Sequence, residues 1–544
     1  MSEHAASRLL GIVLAGVALI AAAPGLGNGF VFDDLPIIAE NPIVHELSAA
    51  PKLWTSGYWP AGLLYRPITV QLFALEWAIG GGSPVVFHIV NVVLGLATAL
   101  LFWRLAGRLL PPWPAWLAAL LFAVHPVHVE VIANAVGQSE LLASAFALLV
   151  VERYLAWRST GALSPSRRAV LAILTLLAIL SKETGYVIPP LLVAVELIIV
   201  RQVAGASWRL RSSVPVLALQ TAVVVVGVLL RIAVLGPTTA AGPSAVLRDL
   251  PPVQRIFGML AVVPEWARLL VWPAHLQAEY GPPALAVGGS IGAAHLLGAA
   301  LLIASATLAI AAWRRSPALC LGVVWIGVAL LPVSNIFTAT GVVLAERTLF
   351  LPSSGSMLAA GALLVPALEG AGRLRLRARR AVVAGVAMLA LLGMVRSMER
   401  QTVWRSPKEF ADHLLRDAPT TYRAHLVVSS YFARVGRLAE AEATARRGLA
   451  LYQGDAQIYE HLGQLLRRDK RCAEAVPILA TGVERFPDRT LVRARLIECA
   501  LAVGDTSRAV AVAADAVRLG HKEFELTLRR LGVAVSAGRG ESPR

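Results

Sequence analysis

The most regular feature of the sequence is a series of long apolar runs, separated by short polar turns, that extends from Leu9 to about Met398. Each run is close to the roughly 17 to 25 residues that a helix needs to cross a bilayer. The pattern predicts about eleven transmembrane helices, at residues 7–24, 85–107, 113–127, 138–157, 168–182, 185–201, 214–236, 289–313, 316–332, 354–371 and 380–397. We therefore predict an all-α, polytopic bundle over residues 1–398, followed by a region of a different kind.

The C-terminal region repeats itself every 34 residues from Tyr422 onward, which is the period of tetratricopeptide repeats. Three copies follow one another, and the residues that fit the repeat pattern are Ala441, Ala475, Ala509, Tyr459, Leu462, Gly463 and Pro487. The third copy has Ile497 at a position that is usually small, so we interpret it as a terminal cap. The predicted order is a linker and half-repeat at 399–421, a repeat solenoid at 422–523 and a basic tail at 524–544.

Composition agrees with a membrane protein, because 57% of the 544 residues are hydrophobic, 15% are charged and the mean hydropathy is +0.66. The net charge of +16 does not indicate nucleic-acid binding, since the arginines are spread over short turns between apolar runs. If the N-terminus is cytoplasmic, every dense basic cluster falls on the cytoplasmic side, as the positive-inside rule expects. No nucleic-acid partner is therefore predicted.

An odd number of crossings places the repeats, and the loop after the first span, on the extracytoplasmic side of the inner (cytoplasmic) membrane. The first apolar run ends in GLGNGF without a small-residue cleavage site, which favours a retained signal anchor. Cys472 and Cys499 then face an oxidising compartment, where either a disulfide or apolar packing accounts for them. Cys320 lies inside a predicted span.

Two adjacent carboxylates, Asp33 and Asp34, follow the first apolar run in the stretch FVFDDLPIIAENP. One interpretation is structural, because Asp34 precedes a proline and could cap a short helix. The other is chemical, because a carboxylate at the membrane surface can accept the proton of an acceptor hydroxyl as a general base. The sequence does not distinguish which of the two aspartates would be the base.

Other polar residues concentrate in loops predicted on the same side. LFAVHPVHVEVIANAVGQSE interrupts a span, and His125, His128 and Glu130 within it could bind a metal or stabilise a turn. Lys182 and Glu183 stand in the turn SKETG, where they could form an ion pair or extend their charged ends to the membrane interface. Arg347, in AERTLF, suits a lipid phosphate because its guanidinium binds two oxygens, and the alternative is an ion pair with Glu346.

These motifs, in this order, make the family recognisable. FVFDDLPIIAENPIV, YRPITVQLFALEWAIGG, LFAVHPVHVEVIANAVGQSELLA, LSKETG and LPVSNIF with AERTLFLPS, followed by the repeats, resemble the transmembrane-and-tetratricopeptide-repeat O-mannosyltransferases and their bacterial relatives. That family belongs to the GT-C glycosyltransferases. The resemblance covers nearly the whole chain, although this chain has only about three repeats and the eukaryotic members have long arrays.

The resemblance implies a GT-C membrane enzyme that moves a sugar, mannose or a similar hexose, from a polyprenyl-phosphate carrier to an extracytoplasmic hydroxyl, usually of a protein Ser or Thr. It assigns Asp33 and Asp34 to the active site, and it suggests as cavity or donor-phosphate residues His128, Glu130, Lys182, Glu183 and Arg347. The implied partners are the lipid-linked sugar, membrane lipid and an acceptor protein or peptide held by the repeats. No cofactor is assigned, and a divalent metal stays open.

Two other classes of function compete with a transferase: a non-catalytic membrane scaffold that presents the repeats, and a transporter of a lipid-linked glycan. A scaffold does not need a cluster of acids, histidines and an arginine on one side. A transporter should place ionisable groups near mid-span, whereas Glu196 and Arg231, the main candidates, lie near predicted span ends. The sequence therefore favours the transferase.

Overall fold

The protein is described by a computed structural model over residues 3–60, 64–237, 244–248, 250–285, 287, 291–369 and 373–533, and these residues form helices and turns. Within these ranges, eight helices are long and apolar enough to cross a membrane, or nine if one bent pair counts as a single span. The predicted all-α, polytopic class is confirmed. The predicted tail residues 534–544 lie outside the described ranges.

Eight of the eleven predicted spans coincide with these eight helices. The other three, at 113–127, 168–182 and 316–332, are also helical, but their helices are shorter than 18 residues. A helix of 14 residues rises about 21 Å, which is less than the roughly 30 Å of a hydrocarbon core. Length alone therefore supports eight or nine crossings rather than eleven.

The helices of eight or more residues before the repeats are α1 Glu3–Ala22, α2 Pro67–Gly80, α3 Pro84–Ala106, α4 Pro112–Ala123, α5 Gln138–Arg158, α6 Pro165–Ser181, α7 Ile188–Val195, α8 Val214–Leu235, α9 Pro252–Leu260, α10 Val263–Val271, α11 Ala293–Ala312, α12 Pro317–Leu330, α13 Phe350–Leu368, α14 Arg373–Gln401 and α15 Pro407–Asp417. Most begin with a proline in the first turn, where the missing backbone N–H costs nothing.

Small residues allow the central helices to pack closely. Gly322 of α12 and Gly355 of α13 face each other, and a Cβ on either one would lie 2.7 Å from the carbonyl oxygen of the other. Such contacts are typical of helices that associate within a membrane, where backbone proximity replaces the hydrophobic driving force. The beginning of α13, which follows Arg347 directly, is thereby fixed against the core of the bundle.

The repeats form three helical hairpins, which begin at Tyr422, Ala456 and Thr490. Their helices are α16 Tyr422–Arg434, α17 Leu438–Leu451, α18 Ala456–Arg468, α19 Cys472–Arg485, α20 Thr490–Ala502 and α21 Thr506–Arg518. The in-register alanines Ala441, Ala475 and Ala509 are fully buried, as the repeat pattern predicts. The segment predicted as a tail begins with a helix, Glu525–Arg530, whose Leu528 is buried with Phe524.

The chain divides into two compact units. One comprises residues 1–278 and 286–413, and the other comprises 279–285 and 414–544. The short segment 279–285 comes from the loop after α10, yet it packs within the repeat unit, where Glu279 forms an ion pair with Arg423 at 3.0 Å. A loop between two predicted spans thus contacts the first helical hairpin.

Candidate active site

The two adjacent aspartates have different surroundings. The Asp34 carboxylate is fully buried and accepts backbone N–H bonds from Val31 at 3.2 Å, Ala135 at 3.3 Å and Val136 at 2.9 Å. Ala135 and Val136 belong to the turn that leads into α5, and Gly137 permits this turn, because a Cβ there would lie 1.9 Å from the Val131 carbonyl oxygen. Asp34 therefore anchors the acidic loop to a helix beginning that lies about one hundred positions away in the sequence.

The capping interpretation of Asp34 needs a correction. Asp34 precedes the short helix Leu35–Ala39, but its side chain forms no capping bond with that helix. Burial raises the pKa of Asp34 to about 7, against the three backbone N–H bonds, which lower it. A pKa near 7 would suit a general base, but the carboxylate is closed to any acceptor hydroxyl by the backbone around it. Its contacts instead anchor the acidic loop to the turn before α5.

Asp33 instead faces a partly open surface beside Arg347. The side chains of Asp33 and Arg347 are 18% and 24% exposed, and the carboxylate lies 3.8 Å from the guanidinium. Arg347 is held from its other side by Glu130, which is buried and accepts both the Arg347 backbone N–H at 2.8 Å and a guanidinium N–H. The buried Glu130 thus fixes the direction of a cation toward Asp33.

The strained residue before Asp33 determines how the pair is presented. Phe32 has a φ of 56°, a left-handed conformation that is a genuine outlier for a bulky side chain. Its ring stacks on Phe410 of α15, with centroids 5.3 Å apart, and Phe410 packs on Trp404. In the same region the Gly29 N–H donates to the Arg405 carbonyl oxygen at 2.9 Å. The acidic loop is therefore fixed against the segment that follows the last membrane helix.

The histidines of the interrupted span, His125 and His128, are buried and hydrogen-bonded within the bundle. His128 is 3% exposed, lies between the rings of Phe122 and Phe350, and hydrogen-bonds through Nε2 to the Ser353 hydroxyl at 2.7 Å. His125 hydrogen-bonds to the Leu270 carbonyl oxygen at 3.3 Å. In the ranges given above, no group of three or more His, Cys, Asp or Glu could hold a metal. The arrangement of His125, His128 and Glu130 does not fit a metal site.

Lys182 and Glu183 each pair with a partner elsewhere in the sequence. Lys182 contacts Glu140 at 2.6 Å, in the first turn of α5, and Glu183 contacts Arg66 at 2.6 Å, before α2. Sequence reasoning did not assign either partner, although Glu140 is the last residue of the quoted stretch LFAVHPVHVEVIANAVGQSE. The two pairs replace the local ion pair that the adjacent charges suggested.

Tyr58 connects these pairs to the acidic loop. Its phenol is buried under the Arg66 guanidinium, whose central carbon lies 4.6 Å from the ring centroid. Burial raises the pKa of Tyr58, and the charges of Arg66, Asp33, Asp34 and Arg347 also act on it. Segments from five parts of the sequence therefore surround one polar region, in which Asp33, Arg347 and Glu183 are the most exposed of the paired charges.

Comparison with known proteins shows which proteins this chain is similar to. The family model for dolichyl-phosphate-mannose-protein mannosyltransferase matches residues 66–230. A protein O-mannosyl-transferase of Caenorhabditis elegans is 25% identical over 450 residues, which cover 79% of this chain and 61% of that protein. A protein O-mannosyl-transferase of Mus musculus is 28% identical over 484 residues, which cover 78% of this chain and 64% of that protein.

This chain is similar to the protein O-mannosyl-transferases over about four fifths of its length. The resemblance inferred from the motifs is confirmed, and the chain spans about three fifths of the length of these two relatives. The match to the family model contains His128, Glu130, Lys182 and Glu183, whereas Asp33, Asp34 and Arg347 lie outside it. Among solved structures, ArnT from Cupriavidus metallidurans bound to undecaprenyl phosphate aligns with 92% of this chain and 79% of that chain, at 16% identity and a TM-score of 0.38.

The contacts of Asp34 predict a loss of stability when its charge is removed. In Asp34→Asn, the amide nitrogen of the new side chain would face backbone N–H groups, so at least one buried donor would lose its acceptor, at a cost of about 1–3 kcal/mol. We expect a lower midpoint of thermal denaturation in detergent, measured by size-exclusion chromatography after heating. Asp33→Asn is the matched control and should leave that midpoint unchanged. Equal midpoints for both variants would contradict the anchoring role.

Proposed function

We propose that this protein is a membrane glycosyltransferase of the GT-C type. It moves a hexose, mannose or a similar sugar, from a polyprenyl-phosphate carrier to hydroxyl groups of an extracytoplasmic acceptor, which we take to be Ser or Thr side chains of a protein. The observation that carries the proposal is the partly exposed pair of Asp33 and Arg347, 3.8 Å apart and fixed by the buried Glu130. The family relationship adds the reaction class.

The pair supplies the two functions that sugar transfer from a phosphate requires. Asp33 accepts the proton of the acceptor hydroxyl while the hydroxyl oxygen forms a bond to the anomeric carbon of the sugar. The bond between that carbon and the phosphate oxygen breaks, and the polyprenyl phosphate leaves with increased negative charge. Arg347 stabilises this charge through N–H donors aimed at the phosphate oxygens, an interaction that strengthens in the transition state.

The neighbouring ion pairs give the site its rigidity. Lys182 is fixed by Glu140, and Arg66 by Glu183, so the positive charges around Tyr58 are oriented before any substrate arrives. Preorganised charges of this kind do not have to reorganise during the reaction, which is why they lower its barrier. A scaffold that only displayed its repeats would not need such an arrangement.

The transporter alternative loses its main support at Glu196. This residue is buried, but it pairs with Arg158 at 2.9 Å, in the last turn of α5, and accepts hydrogen bonds from Tyr154 and Trp208. It is held in a fixed polar network with the last turn of α5 and is not an isolated charge within its span. Buried networks with every member paired fix the packing of helices.

Contacts between distant segments also support the proposed sidedness. Asp33, Arg347 and the chain around Arg405 meet in one region, so they lie on the same side of the membrane. Glu152 gathers Arg104, Arg108 and Arg153 near the other end of α5. Glu140 and Arg158 are separated along that helix by about 27 Å, from a rise of 1.5 Å per residue. Basic clusters and acidic loop thus occupy opposite ends of one span, and we assign the acidic end to the extracytoplasmic side.

Reporter fusions test this assignment. A reporter enzyme that works only in the cytoplasm should be active when fused after Arg209, in a basic turn. A reporter enzyme that works only outside the cytoplasm should be active when fused after Arg405. The physical reason is the arginine distribution, which opposes translocation of the basic turns. Cytoplasmic activity at both positions would contradict the sidedness of the proposed site.

The activity itself is tested in membranes that contain the protein and a defined hexosyl polyprenyl phosphate, with a Ser- and Thr-containing peptide as acceptor. Transfer is measured as the addition of one hexose to the peptide mass. We expect addition that depends on both the lipid donor and the protein. Peptide that stays unmodified, across acceptors and hexoses, would contradict the proposed reaction.

A further inference from the structure

Two cysteines of the repeat unit meet because of the hairpin geometry. Cys472 begins α19 and Cys499 lies near the end of α20, and these helices are consecutive and antiparallel. The beginning of one is therefore beside the end of the other. Their sulfur atoms are 2.7 Å apart and both residues are buried, at 6% and 0% exposure. This separation is only about 0.7 Å longer than an S–S bond.

We propose that Cys472 and Cys499 form a disulfide that joins the second helical hairpin to the third. The proposal is independent of sugar transfer, but it requires the extracytoplasmic placement argued above, because disulfides persist in oxidising compartments. Cys320, the third cysteine, is buried in α12 of the other unit and takes no part.

A disulfide explains the two adjacent cysteines better than apolar packing does. The positions in register with Cys472 are Leu438 and Thr506, and those in register with Cys499 are Tyr431 and Leu465, so the repeat pattern requires a cysteine at neither place. A metal site would need further ligands, and the described residues contain no group of three potential ligands around these sulfurs. Two sulfur atoms 2.7 Å apart, on neighbouring helices, are close enough for the bond to form with little movement of either side chain.

The reaction is a thiol–disulfide exchange. A thiolate of one cysteine attacks a disulfide of an oxidant protein or small molecule, and the second cysteine then displaces the oxidant from the mixed disulfide. The chain loses two protons and two electrons, and the oxidant leaves as two thiols. Burial, with the neighbouring Cys472 thiol, raises the pKa of Cys499 to about 12. The folded pair is therefore a poor nucleophile, so oxidation takes place before the hairpins close or when they open.

The consequence is mechanical coupling between repeats. In a solenoid each repeat contacts only its neighbours, so terminal units can open separately. A bond between α19 and α20 closes a loop that includes the turn between the second and third hairpins, and it restricts the unfolded chain more than the folded one. The third hairpin should then unfold together with the second rather than before it.

Peptide mapping tests the disulfide directly. Cells are first lysed in acid, which stops thiol exchange. The protein is then dissolved without reductant in a neutral denaturant that contains an alkylating reagent, and the full-length chain is digested with trypsin. Cleavage after Arg471, Arg485, Arg495 and Arg508 releases each cysteine in its own peptide, 472–485 and 496–508. We expect the two peptides as one cross-linked species, which separates on reduction, and we expect Cys499→Ser to abolish it. Cys320 should be alkylated without reduction and serves as the internal control.

Two alkylated, separate peptides would overturn the proposal. Oxidation of the purified protein by a small-molecule disulfide in mild denaturant then distinguishes the cause. Formation of the cross-link under those conditions would mean that the repeats lie in a reducing compartment, which also contradicts the extracytoplasmic placement. Failure to form it would mean that the geometry is wrong, and it would leave the placement and the transferase proposal untouched.

Discussion

Asp33→Asn should abolish nearly all sugar transfer while the protein stays folded and reaches normal levels in the membrane. Asparagine has almost the size of aspartate but cannot accept the proton of the acceptor hydroxyl. Loss of a general base typically lowers a rate by about 10² to 10⁴-fold. The measurement is the initial rate of hexose transfer from a defined lipid donor, at equal protein amounts.

Asp34→Asn is the matched variant, because the same chemical change is made one residue away. Asp34→Asn should lower the total transfer rate only as far as it lowers the amount of folded protein. The transfer rate per folded molecule should stay within a few-fold of that of the parent. If Asp34→Asn instead folded normally and lost the rate, while Asp33→Asn kept it, the base and the anchor would have to exchange roles. If both kept the rate, the acidic loop would not be the catalytic centre.

Arg347→Ala should produce the second largest loss of transfer activity, and the loss should appear in kcat/KM for the lipid-linked donor. Removing a charge-assisted hydrogen bond costs about 1.5–3 kcal/mol, or roughly 10- to 150-fold in kcat/KM for the lipid-linked sugar. Arg347→Lys keeps the charge but loses the second prong of the contact, so it should lie between the alanine variant and the parent. The measurement is the dependence of rate on donor concentration at saturating acceptor.

Glu130→Gln is the control for Arg347, since it leaves the arginine in place and removes only the charge that orients it. It should weaken donor use less than Arg347→Ala and should not change the requirement for acceptor. Equal donor dependence in the parent and in a well-folded Arg347→Ala protein would contradict the phosphate role. The ion pair with Glu130 would then be only structural.

The periodic features of the sequence predicted the fold well. Apolar runs located the helices, and the 34-residue period predicted hairpins that begin at Tyr422, Ala456 and Thr490. The number of crossings was less certain, because a continuous apolar run does not reveal where a proline or a turn shortens its helix. The run 113–127, for example, is divided by a bend of 47° before Pro126.

The roles of the charged residues could not be read from local patterns. Asp33 and Asp34 are equivalent in sequence, and tertiary contacts distinguish them: the backbone N–H groups of Ala135 and Val136 donate to Asp34, whereas Arg347 lies beside Asp33. Arg347 pairs with Glu130, 217 positions away, although Glu346 is adjacent to it in the chain. Adjacent residues in a turn point in different directions, so partners of this kind depend on tertiary packing.

The most direct test of the central claim compares the extracytoplasmic proteins of cells that express the parent chain, the Asp33→Asn variant or no copy of the gene. Intact-mass and peptide mass spectrometry would measure hexose additions on Ser and Thr. The account predicts additions in the presence of the parent chain that disappear, at the same sites, with Asp33→Asn and without the gene. Identical glycosylation in all three samples would contradict the proposal that this protein transfers sugar to extracytoplasmic proteins.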